Sequence, residues 1–189
     1  MERKSIGSNV FIYPMPVTLV GTMVDGRPNF MAVGWISRVN ASPPLLAVGI
    51  NRKHHTARGI EEGEAFSVNF PTAEMMDRAD YCGLVSGRDA DKSRLFDVFY
   101  ANLSVPMIQE CPLCLECRLW RTVGLPSNDL FIGEIVESHA LESCLSDGKP
   151  DLQKMRPLLL TMPDNSYWTV GERVGRAWEA GMALKEQRG

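Results

Sequence analysis

The sequence predicts a mainly β protein, an antiparallel barrel with a few short helices. Short runs of apolar and β-branched residues recur along the chain, as expected for strands. Turn-forming residues separate these runs, beginning with the hairpin signal Asp25-Gly26. Few stretches have the length and composition of a helix, which favours a barrel over a layered α/β fold. The 189 residues are expected to form one domain, residues 1–189, with a sizeable core.

The first part of the chain predicts three strands. Val17 to Val24 is rich in Val, Leu and Thr, and after the turn we expect Phe30 to Val39 to return as the second strand. Pro43-Pro44 prevents regular pairing and forces an extended corner. Leu45 to Ile50 is apolar on both faces, which predicts a central strand.

The middle of the chain alternates helices and strands. Thr56 to Gly63 predicts a short helix that its first residue caps and its last residue stops. Ala65 to Phe70 alternates apolar and polar side chains, which predicts a half-buried strand. Thr72 to Leu84 predicts a second helix, and Ser86 to Leu95 a polar, charged loop.

Two further strands precede an irregular tail. Leu115 to Val123 alternates, and Leu130 to His139 follows a predicted turn at Asn128-Asp129. Pro, Gly and aromatic residues mix from Pro157 onward, so that this part is expected to be mostly irregular as far as Gly175.

Composition excludes several classes of function. The formal net charge of −3 gives no reason to expect a nucleic-acid surface. The apolar stretches fall short of the roughly 20 residues that a membrane span needs, and no apolar segment follows the charged N-terminus as in a signal peptide. We therefore expect a cytoplasmic protein without a membrane partner. Five cysteines, an odd number, argue against a secreted disulfide framework.

Polar side chains gather just after two of the predicted strands, where loops can direct them at one anion. Hydroxyl, guanidinium and ammonium groups are the donors that a phosphate prefers, and the predicted start of the first helix adds backbone N–H groups. A solvated basic loop is the alternative. The candidate phosphate-binding residues are Ser37, Arg38, Asn51, Arg52, Lys53, His55 and Thr56. The side chains of the adjacent His54 and His55 are expected to diverge, so that one of the two reaches a ligand.

Two further features can be explained either as ordinary structure or as a binding site. Trp35 is either a core residue or a wall beside a flat ring, which the small neighbours Ala32 and Gly34 would allow to approach. The loop with Ser86, Gly87 and Lys92 is either a surface turn or a flap over the ligand. Trp35 and these three loop residues are candidates for binding a cofactor.

Other motifs give little support for different chemistry. The chain has no GxGxxG, GxxxxGK[ST], HExxH or GxSxG motif, and no histidine or cysteine spacing typical of zinc, so we expect no metal and no catalytic nucleophile. Cys111, Cys114 and Cys117 could serve an iron–sulfur cluster, a redox-active thiol pair or only a buried core. A strand over the last two would direct them to opposite faces, which argues against a cluster and favours a buried or redox-sensitive thiol role for Cys111 and Cys117. His139 is expected to be structural or solvated.

Several longer segments resemble the flavin reductase-like, FMN-binding split-barrel family, most closely its flavoredoxin branch. The resemblance extends over nearly the whole chain. It is carried by PVTLVGT at 16–22, RPNFMAVGWISRVNASPPLLAVGIN at 27–51, DYCGLVSG at 80–87, DKSRLFDVFY at 91–100 and LTMPDNSYWTVGERVGRAW at 160–178.

The resemblance implies an antiparallel split barrel that holds FMN noncovalently, usually as a homodimer. It implies an oxidoreductase or electron carrier in which the flavin carries the chemistry and a redox partner protein or NAD(P)H supplies electrons. By the family pattern, Trp35, Ser37 and Arg38 border the flavin and its phosphate, and two further groups complete the site. These are Asn51, Lys53 and Thr56 on the phosphate side, and Ser86, Gly87 and Lys92 from the later loop. A non-catalytic flavin- or haem-binding module on the same barrel is the alternative.

Overall fold

The computed structural model describes residues 1–182 and 184, so the prediction of one domain over residues 1–189 stays a prediction. The main helices are α1 (His55–Gly63), α2 (Met76–Leu84) and α3 (Leu152–Met155), and 3₁₀ turns cover Ala73–Met75, Lys92–Leu95 and Glu142–Cys144. The strands are β1 (Met15–Pro16), β2 (Thr18–Val24), β3 (Arg27–Val33), β4 (Ile36–Asn40), β5 (Leu45–Asn51), β6 (Ala65–Phe70), β7 (Val98–Phe99), β8 (Met107–Ile108), β9 (Leu113–Gly124), β10 (Asn128–Ala140), β11 (Leu145–Ser146), β12 (Lys149–Pro150), β13 (Leu159–Thr161) and β14 (Ser166–Trp168).

A seven-stranded antiparallel sheet dominates the structure, in the order β3-β2-β6-β9-β10-β5-β4. The predicted hairpin between β2 and β3 is confirmed, with Val24 opposite Arg27. Asp25 and Gly26 both have positive φ, 50° and 73°, as a two-residue hairpin turn requires. The prediction that Leu45 to Ile50 is central is also confirmed, because β5 pairs with both β10 and β4.

The sheet is curled. Its two edge strands, β3 and β4, follow each other in the chain, separated only by Gly34 and Trp35. In a flat sheet of this many strands, the edges would lie roughly 29 Å apart at the usual strand spacing. The chain from Val33 to Ile36 can reach about 11 Å at most. The sheet therefore bends until its edges approach each other, which confirms the split-barrel fold.

The prediction of one continuous strand from Phe30 to Val39 is wrong, because the chain changes sheet edge at Gly34-Trp35. Ile36 donates its backbone N–H to the Gly34 carbonyl at 3.1 Å, and the Trp35 carbonyl accepts from Gly49 N at 2.9 Å. The nearly continuous apolar run from Phe30 to Ile36 passes through this break and concealed it.

The first helix begins one residue earlier than predicted. His54, not Thr56, is the N-cap, and its side chain makes no capping hydrogen bond. The Thr56 hydroxyl is not free to cap, because it accepts a hydrogen bond from Asn29 Nδ2 at 2.8 Å. The helix ends at Gly63, as predicted, and the left-handed conformation that closes it belongs to the next residue, the C-cap Glu64, with φ 48°.

Strand β6 is buried on both faces, which corrects the prediction of a half-buried strand. Ser67 and Asn69 were expected to face solvent, and both are 0% exposed. Their side chains bond the segment before and within β8: Ser67 Oγ donates to the Pro106 carbonyl at 2.5 Å, and Asn69 Oδ1 accepts from Ile108 N at 3.0 Å. A second layer of chain thus covers the polar side of this strand.

Strands β9 and β10 form a longer hairpin than predicted. Asn128 and Asp129 belong to β10, so the turn lies before them, between Gly124 and Asn128. It is closed by Leu125 N, which donates to the Asn128 carbonyl at 2.9 Å. The expectation of an irregular tail is also partly wrong. The strands β13 and β14 form a hairpin there, and β13 also pairs with β1.

Two hydrophobic clusters lie on opposite faces of the sheet. Neighbouring residues of β2 separate them: Leu19 belongs to one cluster and Val20 to the other. Helix α2 packs its Ala79 into the first cluster, and α1 packs its Ile60 into the second. Among residues 1–182 and 184, no helix has both the length and the apolar character needed to cross a membrane.

Candidate functional site

The start of helix α1 presents unpaired backbone donors. The first N–H groups of any helix have no partner within it, and no side chain caps this one. The turn before the helix is held by its own backbone, with His54 N donating to the Asn51 carbonyl at 2.9 Å. Asn51 Oδ1 accepts from Lys53 N at 3.0 Å, so that this predicted site residue shapes the turn.

Lys92 is a buried cation beside this helix start. The residue is 3% exposed, and its ammonium donates to the carbonyls of Cys82 at 3.2 Å and Val85 at 3.0 Å. Within the part of the chain that the structure describes, no carboxylate pairs with it. Burial lowers the pKa of Lys92. A buried ammonium without a counter-ion is the environment in which an anionic ligand gains most.

His55 faces the same space with an unsatisfied polar atom. Its Nδ1 is buried and has no hydrogen-bond partner among the described residues. The pKa of His55 is lowered, first by burial and then by the positive charges of Arg58 and Arg88. Burial likewise lowers the pKa of His54, with Lys92 and Arg88 adding to the effect. The local field is therefore positive.

These groups line one cavity of about 170 Å³, which we call the anion cavity. Its wall includes five of the predicted residues, namely His55, Thr56, Ser86, Gly87 and Lys92. Gly87 has to be small, because a Cβ there would collide with Asn29 Oδ1 and lie 3.1 Å from His55 Cδ2. A glycine that admits a close approach, a buried ammonium and an orphaned ring nitrogen together fit a phosphate group.

Asn29 is a residue of the site that sequence reasoning missed. It is 5% exposed on β3, and its amide holds the Thr56 hydroxyl at the start of α1. It stands within an otherwise strand-like segment, and nothing in the local pattern marks it. Its role becomes apparent only from the hydrogen bond to Thr56, which lies 27 residues further along the chain.

Trp35 and Ser37 line a different space, an apolar groove of about 660 Å³. Trp35 is 50% exposed, so the alternative of a core residue is wrong. Its ring stands 6.1 Å from that of Phe11, and a Cβ on Gly49 would lie 3.5 Å from it. An open indole face beside a glycine is suited to contact a flat ring, which stays a prediction for this residue.

The remaining predicted residues lie outside both spaces. Arg38 is exposed and donates to the backbone carbonyls of Asn40 at 2.6 Å and Ala41 at 3.2 Å. Arg52 forms an ion pair with Asp129, Nη2 to Oδ1 3.1 Å. Lys53 is exposed in the turn before α1. The structure thus brings together the predicted residues from His55 onward, whereas the ligand contacts of Arg38, Arg52 and Lys53 stay predictions.

All five cysteines are free and buried, so of the two roles expected for Cys111 and Cys117 the buried one is confirmed. Cys114 and Cys117 belong to the clusters on opposite faces of the sheet, as predicted. Burial raises the pKa of both Cys111 and Cys117 well above that of a free thiol. Thiols of this kind are poor nucleophiles at neutral pH.

His139 has a structural role, as expected, and its partner is a carboxylate that the sequence did not mark. Its Nε2 lies 3.2 Å from Oε2 of Glu116, which is 0% exposed. The backbone N–H groups of Asn102 and Leu103 donate to the same carboxylate at 3.2 and 2.9 Å. This cluster fixes the 102–103 loop to β9.

Comparison with known proteins gives consistent results. The model of the family described as "flavin reductase like domain" matches residues 10–160. A flavoredoxin from Methanosarcina acetivorans has 57% sequence identity and a TM-score of 0.95, covering 97% of this chain and 100% of that one. Flavoredoxin of Desulfovibrio vulgaris (Miyazaki F) has 34% identity and a TM-score of 0.90, covering 95% and 100%. An FMN-binding protein from Thermus thermophilus has 25% identity and a TM-score of 0.78, covering 93% and 97%.

Proposed function

Because this chain belongs to the flavin reductase-like family, we propose that it is a redox protein that binds FMN noncovalently. Two of the similar structures are flavoredoxins, and a third is called an FMN-binding protein. The anion cavity carries the proposal for this chain itself, because its buried Lys92 lacks a carboxylate partner among the described residues. A monoester phosphate supplies the missing negative charge.

Each residue of the anion cavity has its own role in binding a phosphate. The Lys92 ammonium neutralises its charge, and the N–H groups at the start of α1 donate to its oxygens. A His55 tautomer with the proton on Nδ1 gives one more donor, while Gly87 leaves room for the group. Trp35, with Gly34 beside it, is the wall that would shield a flat ring from water.

Bound FMN supplies hydride and single-electron chemistry, and the chain orients the cofactor and excludes water from it. No nucleophilic side chain is required, and the raised pKa values of the buried thiols agree with that. The proposal therefore assigns binding and positioning roles to the candidate residues and no catalytic one.

A visible spectrum of the purified protein is the first test. We expect flavin absorption bands, release of FMN on denaturation, and rebinding of FMN by the apoprotein more tightly than riboflavin, which lacks the phosphate. A Soret band would point to the haem-binding module instead. Equal affinity for FMN and riboflavin would remove the phosphate assignment.

The electron donor is the second part of the proposal. We propose a flavin-dependent oxidoreductase that accepts electrons from NAD(P)H or from a redox partner protein. Anaerobic mixing of the FMN-loaded protein with NADH and NADPH separates the two cases. Rapid bleaching of the flavin band with either nucleotide identifies a reductase. An unchanged flavin band, together with reduction by a ferredoxin-type donor, identifies an electron carrier, and no reduction by any donor identifies a non-catalytic module.

We propose a homodimer as the working assembly. Strand β4 lies at one edge of the seven-stranded sheet, with no further strand beside it among the described residues, and Val39 on it is 51% exposed. Together with Trp35 and the 45% exposed Leu125, it borders the apolar groove. An open strand edge beside exposed apolar side chains is a favourable surface for a second copy of the chain.

A further inference from the structure

A second polar space adjoins the anion cavity. This outer pocket has a volume of about 680 Å³, and His55 and Gly87 line both spaces. The anion cavity, at about 170 Å³, holds little more than a phosphate and its neighbouring atoms. A ligand whose phosphate occupies the cavity would therefore have the outer pocket next to it, on the other side of the shared residues His55 and Gly87.

Two arginines of the outer pocket are available for a ligand. Arg27 and Arg88 line the pocket and are exposed, and neither forms an ion pair within residues 1–182 and 184. Arg58 also lines the pocket, but it is occupied by Asp25 and Glu62. The charge of Arg88 lowers the pKa of both His54 and His55, so its field reaches the anion cavity.

Two of the three carboxylates that line the pocket are already paired with other arginines. Asp25 is paired with Arg58, and Asp91 accepts from the Ser93 hydroxyl at 2.6 Å and from Arg94 Nε at 3.1 Å. Asp89 has no side-chain hydrogen bond in the described part of the chain, although its backbone is fixed by Ser86. Free guanidinium groups next to a free carboxylate match a phosphate linked to a ribose, whose hydroxyls donate to carboxylates.

We infer that the outer pocket binds the ribose-phosphate part of a nucleotide beside the flavin phosphate. This inference rests on the proposed function, because it takes the anion cavity as the place of the flavin's own phosphate. Arg27 and Arg88 bind the second phosphate, and Asp89 accepts from the ribose. The nucleotide is either the adenylate half of FAD or the adenylate half of a separate nicotinamide dinucleotide.

The test uses the double variant R27A/R88A, with R118A/R121A as a control of equal charge change on exposed positions of β9. In the first arm, the apoproteins are titrated with FMN and with FAD. In the second, apoprotein and FMN-loaded protein are titrated with AMP. If the nucleotide is part of FAD, the wild type binds FAD about tenfold more tightly than FMN. R27A/R88A then loses that advantage and retains the FMN affinity. If it is a separate molecule, AMP binds to the FMN-loaded wild type and control, and not to R27A/R88A.

Two results overturn the inference. One is that R27A/R88A binds FMN, FAD and AMP with the same affinities as the wild type. The other is that R27A/R88A loses as much affinity for FMN as for FAD, which would assign the outer pocket to the flavin's own phosphate. Failure of the proposed function is a separate outcome, since the wild type would then bind neither flavin, and AMP binding to the apoprotein would still report on the outer pocket.

Discussion

Lys92 shows how much of a site a sequence can reveal at the scale of one residue. The sequence identifies a lysine in a polar loop, where such residues are normally solvated, yet this one is 3% exposed. Carbonyl oxygens, not carboxylates, surround its ammonium. Burial of this kind depends on how α2 packs against the 3₁₀ turn that carries the lysine, and no local pattern contains that information.

Replacement of Lys92 by Met should weaken FMN binding by about ten- to a hundredfold, the size of one lost charge-assisted hydrogen bond. Riboflavin affinity should hardly change, because that flavin has no phosphate. Titration of the apoprotein with both flavins measures the difference, and K149M, on an exposed lysine of β12, is the control. A parallel loss for both flavins would mean that Lys92 supports the fold or the ring and does not bind the phosphate.

The basic residues before α1 show what residue types cannot predict. The sequence predicts a cluster of donors near a helix start, and two of these donors, His55 and Thr56, line the anion cavity together with Ser86, Gly87 and Lys92 from the later loop. It could not distinguish those from Arg52, whose partner Asp129 lies 77 residues further along the chain. Hydrogen bonds between distant segments decide which donors remain available, and they follow from the strand register.

At the scale of elements, the contact between α1 and β2 depends on a glycine. A Cβ at Gly59 would lie 2.6 Å from side-chain carbons of Thr22 and Val24, and 2.7 Å from the Met23 carbonyl oxygen. Helix and strand therefore touch almost backbone to backbone. The same helix has an unobstructed position at Gly63, where an added Cβ would meet nothing within 4 Å.

The variant G59A should destabilise the fold by about 1–3 kcal/mol, because α1 would have to move away from β2. G63A should leave the free energy of unfolding unchanged or raise it slightly, since alanine favours the helix. Urea unfolding of both variants gives the comparison. Since α1 also forms a wall of the anion cavity, we expect G59A to weaken FMN binding as well. Equal stabilities for the two variants would contradict the close packing.

Glu116 makes the attachment of the 102–103 loop to β9 dependent on pH. Burial by itself would raise the pKa of this carboxyl, but hydrogen bonds from Leu103, His139 and Asn102 outweigh burial and lower it. A carboxyl whose pKa is lower in the folded state contributes stability above its unfolded pKa of about 4.3. That contribution is lost as the pH falls through the folded-state pKa.

The variant E116Q should therefore lose about 1–3 kcal/mol of stability at neutral pH, where the charged acceptor matters. The difference from wild type should shrink as the pH falls below about 4.3, because the wild-type carboxyl also becomes neutral. Urea unfolding across a pH series measures this, with E61Q, at an exposed position of α1, as the control. A difference that does not vary with pH would show that the ionised form is unimportant.

At the scale of the whole molecule, the sequence predicted the antiparallel barrel but not the place where its sheet edges meet. Alternating patterns and the Asp25-Gly26 turn predicted the strands and the first hairpin, because those signals are local. The jump from β3 to β4 and the covering of β6 by a second layer were missed. Both depend on which strands become neighbours, and periodicity shows which residues share a face but not which strand pairs with which.

The proposed homodimer leads to a prediction about the surface around β4. The double variant V39D/L125D places two charges on the exposed rim of the apolar groove and should convert the dimer to monomer, because unpaired charges are costly to bury. Light scattering coupled to size-exclusion chromatography measures the mass. L152D alters an apolar side chain that is 50% exposed on α3, outside the groove, and should leave the dimer intact. A wild type that elutes as a monomer would refute the assembly.

The barrel has a seam, by which we mean the place where its two edge strands, β3 and β4, meet. Gly34 and Trp35 join the first strand edge to the last, and the same tryptophan is the proposed wall for the ring. A flavin bound against that indole would hold the two strand edges together, so that binding of the cofactor would also stabilise the closed barrel. Amide protons along β3 and β4 should then exchange with solvent more slowly in the FMN-loaded protein than in the apoprotein. Those of the β9–β10 hairpin should exchange at the same rate in both forms.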